Sequence, residues 1–282
     1  MNREVFQGRK LCIATKHGKE AAIASTLASA FDIQCFTPND FDTDQLGTFS
    51  GEIERSLSPI EAARKKCQLA MDLTNCDLAL ASEGSFGRHP TLLFVPADEE
   101  FLLLTDRKIG IEIVARHLTT ETNFVGANVP DESALLEFAE EAQFPEHALI
   151  LKDREKEWSF LRKGIQSQKE LIKSYRECAS KYGQVFAETD MRAMLNPTRM
   201  KAITATTELL VQKMQSLCPN CELPGFDVVE NQSGLPCEQC SMPTKSILNA
   251  VYRCAHCNFA QIEKYPKGKK HEDPMYCDFC NP

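Results

Sequence analysis

Eight of the thirteen cysteines fall between residue 218 and the end of the chain, in four C-x-x-C pairs: Cys218/Cys221, Cys237/Cys240, Cys254/Cys257 and Cys277/Cys280. A two-residue gap lets both thiolates of one tight turn face the same ion, and two such turns complete a tetrahedral four-cysteine zinc site. The gaps from Cys221 to Cys237 and from Cys257 to Cys277 both fall in the range of about 15 to 20 residues typical of zinc ribbons. This spacing predicts two structural Zn²⁺ ions. Sequential pairing is expected: Cys218, Cys221, Cys237 and Cys240 around one ion, and Cys254, Cys257, Cys277 and Cys280 around the other. An interleaved, cross-braced arrangement is the alternative. Iron–sulfur clusters take the same ligands, but the ribbon spacing favours zinc. Cys12, Cys35, Cys67, Cys76 and Cys178 show no close pairing.

Outside the cysteines, chemistry must come from lysines and acids at element ends. Thr15-Lys16-His17-Gly18-Lys19 follows an apolar run and opens an alanine-rich one. Helix N-terminal amides favour a phosphate there, with Thr15, Lys16 and Lys19 as its contacts; the alternative is an ordinary strand-to-helix turn with solvated lysines. Glu61 falls in the first turn of a helix and Glu83 at the end of a strand. Ligands of open α/β sheets bind at strand carboxyl ends, and two carboxylates there could hold Mg²⁺ together with substrate phosphates. The competing roles are a first-turn acid that complements the helix dipole for Glu61, and a plain turn residue before Gly84 for Glu83. Arg192 and Arg199 flank Asn196-Pro197. They either grip a phosphate or carboxylate through their bidentate forks or belong to a pair of capped surface helices. No P-loop, dinucleotide-binding, H-E-x-x-H or G-x-S-x-G pattern is present.

The elements that must position these residues read as an α/β alternation. Strands are expected over Lys10–Thr15, Phe31–Phe36, Asp77–Ser82, Ile109–His117 and His147–Leu151. Thr91–Val95 and Glu100–Thr105 read as a hairpin around Pro96-Ala97-Asp98. Ser58-Pro59-Ile60-Glu61 has the cap, proline and first-turn acid of a helix start, with the helix running to about Leu73. Asp131–Ala142 is helical. Thr37–Ser58, with Pro38, Gly47 and Gly51, reads mostly as loop. Gln166 to Leu217 reads as helical, broken near Tyr182–Thr189 and at Asn196-Pro197. The fold class is α/β: a mixed sheet with flanking helices over residues 1–160, a helical connector over 161–217, and a zinc-ribbon-like β module over 218–282.

The order of elements resembles the superfamily of inosine triphosphate pyrophosphatases, to which the Maf proteins belong. The likeness covers about residues 10 to 110 and rests on Thr15-Lys16-His17-Gly18-Lys19-Glu20, on Glu61-Ala62-Ala63-Arg64-Lys65-Lys66 and on Glu83-Gly84-Ser85. A family asparagine is replaced here by His17. The resemblance implies that Lys19 and Lys65 contact phosphate, and that Glu61 and Glu83 organise Mg²⁺ for hydrolysis of a nucleoside triphosphate. The whole chain is also similar to a bacterial family of unknown function that carries the same cysteine-rich end. The segment Glu188 to Met200 looks characteristic of it, and that likeness implies no activity.

Composition bounds the partners. The net charge is −8, from 32 basic and 40 acidic residues, which argues against a general nucleic-acid binder because duplex affinity comes mostly from neutralising phosphates. The cysteine-rich tail is itself acidic, since the four thiolates of each site outweigh one Zn²⁺ by two charges. No apolar run is long enough to span a membrane, and Met1 to Lys10 has no signal-peptide core. A cytoplasmic protein with reduced thiols is expected. Two functions fit: a Mg²⁺-dependent hydrolase of a phosphorylated small molecule, or a non-enzymatic adaptor whose zinc tail binds a protein partner.

Overall fold

The computed structural model describes residues 4–15, 18–38 and 57–282. Lys16 and most of the expected loop Thr37–Ser58 lie outside the described residues. The first layer is a five-stranded sheet of β1 (Lys10–Ala14), β2 (Gln34–Phe36), β3 (Leu78–Arg88), β4 (Pro96–Asp106) and β5 (Ile111–Thr119) in the order β2-β1-β3-β4-β5. The first three strands run parallel and the last two are antiparallel. α1 (Glu20–Phe31) and α2 (Pro59–Thr74) are the crossovers between the parallel strands.

Residue size decides which helix covers which face. Leu11, Ile13, Leu78, Leu80, Leu102, Leu104 and Ile113 alternate onto one face and pack with Ile23, Leu27 and Phe31 of α1. Cys12, Ala14, Ala79 and Ala81 point the other way, where Ala63, Cys67, Ala70 and Met71 of α2 meet them. Strict period-two alternation within buried strands makes this division possible. Small side chains on both sides let α2 approach closely. Its start is as expected, with Ser58 and Glu61 forming a reciprocal capping box and proline in the first turn.

The second layer differs from expectation. β6 (Gly126–Asn128), β7 (Leu149–Lys152), β8 (Leu161–Ile165) and β9 (Phe186–Thr189) form an antiparallel sheet in the order β6-β9-β7-β8. α3 (Glu132–Glu141) and α4 (Gln168–Tyr182) cover it around a separate core that includes Leu135, Leu149, Leu151, Leu171 and Ala187. The segment read as a helical connector therefore contributes two strands. β9 is only four residues long, and its place between β6 and β7 comes from pairing partners far away in sequence. The hairpin also shifts. β3 runs on through Glu83 to Arg88 and pairs with β4 from Leu78↔Asp106 to Arg88↔Pro96. Thr91–Val95 is therefore the exposed connection and not a strand. Pro96 starts β4, where its missing N–H is tolerated.

α5 (Pro197–Gln215) returns to the first layer, and its Ile203, Leu210 and Met214 join the core shared with α1. The last module is an antiparallel three-stranded sheet of β10 (Phe226–Ser233), β11 (Ile247–Cys254) and β12 (Ala260–Lys264). Among the described residues, no helix is long and apolar enough to cross a membrane.

Asn196 joins the second layer to α5. It is fully buried, its Oδ1 accepts the Arg199 N–H, and its Nδ2 donates to Asn123 Oδ1 and to the Asp190 carbonyl. Replacing Asn196 with alanine removes the cap and orphans those partners, so a loss of about 1–3 kcal/mol is expected. A urea-unfolding midpoint indistinguishable from wild type would contradict this account.

Candidate functional site

The described residues contain two groups able to hold a metal ion, and they are interleaved. One is Cys218, Cys221, Cys254 and Cys257; the other is Cys237, Cys240, Cys277 and Cys280. This corrects the sequential pairing. β10 pairs with β11 so that Phe226 lies opposite Cys254, which sets the turn entering β10 beside the turn leaving β11. At the far end of that hairpin, Cys237 bridges to Glu272 and brings the second turn to the fourth. The sulfurs of each group lie within 4.8 Å of one another, with Cys218–Cys257 at 3.7 Å, Cys221–Cys254 at 3.6 Å, Cys237–Cys280 at 3.8 Å and Cys240–Cys277 at 3.6 Å. A tetrahedral ion with Zn–S bonds near 2.3 Å sets its sulfurs about 3.8 Å apart, so the geometry fits one ion per group. After the first three pairs, Glu222, Ser241 and Asn258 take the left-handed conformation, which closes each turn. The Phe259 amide, followed by the Asn220 side chain, pulls the Cys257 thiol down to about 6, as suits a thiolate ligand.

The second candidate site lies at the carboxyl end of the parallel strands. β3 continues beyond its pairing with β1, which ends at Ala81. Lys19, just before α1, turns inward and is 5% exposed. Its Nζ donates to the Ser82 carbonyl at 3.3 Å and to Ser82 Oγ at 3.2 Å. Burial lowers its pKa to about 8; Arg199 pushes in the same direction and Glu100 and Glu83 oppose it. Glu83 is ion-paired with Lys66 of α2. Arg199, 1% exposed, donates from Nε to Glu100 Oε1 at 2.6 Å and from Nη1 to the Met191 carbonyl, and its guanidinium lies 4.9 Å from the Phe86 ring centroid. Gly84 sits beneath this pair. A Cβ there would come within 2.5 Å of both Arg199 Nη2 and Glu100 Oε1, so only glycine admits the close approach. Asp98 is 1% exposed, and among the described residues neither of its carboxylate oxygens has a hydrogen-bond partner. Burial, followed by Glu100, raises its pKa to about 7, against Arg199 and Lys19.

Of the residues expected from the sequence, Lys19 and Arg199 belong to this cluster, while Glu83 is in step with Ala79 and Ala81 on the opposite face of β3, where Lys66 of α2 pairs with it. Glu61 is exposed at the start of α2, where its carboxylate accepts from the Ser58 N–H at 2.9 Å and the Ser58 hydroxyl at 2.6 Å. The α2 side chain that reaches Glu83 is Lys66, while Lys65 is exposed. Thr15 is half-buried after β1. Arg192 is paired with Asp190, whose Oδ2 also accepts the Gly164 N–H. Sequence reading missed Asp98, Glu100 and Lys66. For the two acids the signal was the parity of β4: Asp98 and Glu100 fall in step with Leu102 and Leu104, so acids occupy the buried face. A groove of about 840 Å³ opens at the opposite, amino end of the strands. Arg9 there is bound to Asp106 and Asp77, and Arg107 to Asp72. The buried cluster is the better candidate, because no residue expected to do chemistry lines that groove.

Fold and site together define a mixed α/β protein carrying a cross-braced module with two four-cysteine groups. The chain belongs to the family described as Domain of unknown function (DUF6671), which matches residues 66–282. No curated protein matches it.

Two measurements check these sites. The double variant Cys218→Ser/Cys254→Ser should lose one metal ion per chain and Cys218→Ser/Cys237→Ser should lose both; elemental analysis giving the reverse would restore sequential pairing. Asp98 has its folded pKa raised above its unfolded value, so the protonated form stabilises the fold and that contribution is lost as pH rises from about 4 to about 7. Asp98→Asn should therefore be more stable than wild type by roughly 2–4 kcal/mol at pH 8, in buffer without added divalent cations, and the gap should close toward pH 4. Parallel stability curves across that range would refute the raised pKa.

Proposed function

We propose that the protein is a Mg²⁺-dependent hydrolase of a phosphorylated small molecule, with nucleoside triphosphates as the substrate class its resemblance implies, and that each four-cysteine group holds a structural zinc ion. The observation that carries the reading is the buried Lys19 ammonium held on Ser82, the residue before Glu83, just past the last pairing of β1 with β3. That is where open α/β sheets bind ligands. In this reading Lys19 and Lys66 neutralise phosphate oxygens. Mg²⁺ needs only one or two carboxylates besides the phosphates, and it would draw charge from the reacting phosphoryl group. The oxygen of a water attacks phosphorus, the bond to the leaving phosphate breaks, and the water's proton passes to a carboxylate of the cluster, with Glu83 the residue assigned. All thirteen cysteines are free thiols or metal ligands, which suits a reducing compartment such as the cytoplasm.

A second reading, an adaptor, draws on the last cysteine turn. Met275, Tyr276 and Phe279 are 58%, 60% and 63% exposed there, and exposed apolar side chains grouped together mark contact surfaces.

Incubation with a nucleotide panel and MgCl2, scored for phosphate or pyrophosphate release, separates the two. The hydrolase reading expects release that falls at least about 100-fold in Glu83→Gln and Lys19→Met, with zinc content unchanged, and that survives Tyr276→Ser/Phe279→Ser. No release from any nucleotide, together with no nucleotide-dependent rise in melting temperature, would remove it.

A further inference from the structure

Three buried carboxylate oxygens on one face of β4 have no hydrogen-bond partner among the described residues: Asp98 Oδ1, Asp98 Oδ2 and Glu100 Oε2. A buried acceptor without a partner calls for an ion or water. Three from two adjacent same-face positions make a local concentration of acceptors beside the Arg199 guanidinium and the Lys19 ammonium. Arg199 directs Nε to the other oxygen of Glu100 and Nη1 to the Met191 carbonyl. Lys19 directs its ammonium to Ser82, and Lys66 pairs with Glu83. Glu100 is fixed by Arg199, and Asp98 lies two residues along the same strand, opposite Phe86 on β3 and Thr119 on β5.

We propose that Asp98 and Glu100 form a divalent-cation site, for a hard ion such as Mg²⁺ or Mn²⁺ that takes oxygen ligands. The chemistry of the donors sets the class. Carboxylate oxygens suit Mg²⁺ and Mn²⁺, whereas the thiolate groups of the C-terminal module select softer ions. Neither Glu61 nor Glu83 is a ligand: Glu61 caps α2 and Glu83 is bound to Lys66. The site stands whether or not the protein hydrolyses nucleotides. With the ion bound, this end of the sheet becomes cationic, with Lys19 and Arg199 beside it, and attracts an anionic ligand.

The test uses full-length, zinc-loaded protein and no nucleotide. Mn²⁺ is titrated and followed by the electron paramagnetic resonance of the free ion, for wild type, Asp98→Asn and Glu83→Gln. Wild type and Glu83→Gln should each bind one Mn²⁺ that Asp98→Asn binds at least ten-fold more weakly. Excess MgCl2 should raise the melting temperature of wild type by a few degrees and leave that of Asp98→Asn unmoved. The asparagine is isosteric and replaces a group without a hydrogen bond, so the variant is expected to fold; its zinc content and circular dichroism verify that. Identical Mn²⁺ titrations for wild type and Asp98→Asn overturn the proposal, as does a site lost in Glu83→Gln but kept in Asp98→Asn. Binding without turnover would sink the hydrolase reading alone, and turnover without this binding would sink the cation site alone.

Discussion

The buried Arg199–Glu100 pair is the contact on which the rest of the molecule depends. Both side chains are 1% exposed, so removing either partner leaves an uncompensated charge in the interior. Arg199 comes from the first turn of α5, Glu100 from β4, the Met191 carbonyl from the segment linking the second layer to α5, and the floor from Gly84 of β3. One guanidinium thus ties together an antiparallel hairpin, a returning helix and the end of the second sheet. Losing either partner would strand a charge in a medium where it cannot be hydrated.

The segment around that arginine closes over the first sheet in more than one way. Gly18 has a φ of +74°, and a Cβ there would lie 3.1 Å from Met194 Cβ, so the strand-to-helix turn and the short 3-10 turn Ala193–Leu195 are packed without clearance. His147 Nε2 faces Thr198 Oγ1 at 2.9 Å, at the start of α5. The Ala148 N–H donates to the Leu195 carbonyl, and the Asp190 N–H donates to the Ala148 carbonyl. Two layers with separate apolar cores are therefore joined through hydrogen bonds as well as through packing such as Phe86 on Phe124. Polar contacts of this kind set orientation through their direction, which apolar contact alone does not.

The C-terminal module is organised differently. Its strands carry little apolar burial, with β12 exposed along its length. A β-sheet of three short strands does not bury enough to be stable alone. Two four-cysteine groups at opposite ends of the β10–β11 hairpin supply cross-links in place of a core. Cross-bracing makes the module one unit, because each four-cysteine group joins turns that lie on either side of a turn of the other group in sequence.

Much of this was legible in the residues, and the limit falls at a definite place. Four C-x-x-C pairs determined that the tail can hold two ions, because a two-residue gap is a local geometry. The gaps between pairs fit either pairing, and only the register of β10 on β11 decided it. Ser58-Pro59 and the glutamate after them determined the start of α2 through local capping, and the same local bonds drew Glu61 away from the site to which it had been assigned. Lys19 was found because it stands at the start of a helix, and such starts collect along one edge of a parallel sheet, whereas Glu83, read as a strand end, lies inside β3 and pairs with α2. Asp98 and Glu100 were not found, since Thr91–Val95 has the apolar composition of a strand and displaced the true start of β4. Short strands such as β9 form because distant partners are waiting for them, and a residue's own neighbours carry no record of those partners. Local conformation follows from contacts within a few residues and can be read along the chain; which strand lies beside which, and therefore which charges meet in the interior, is settled only when the layers pack.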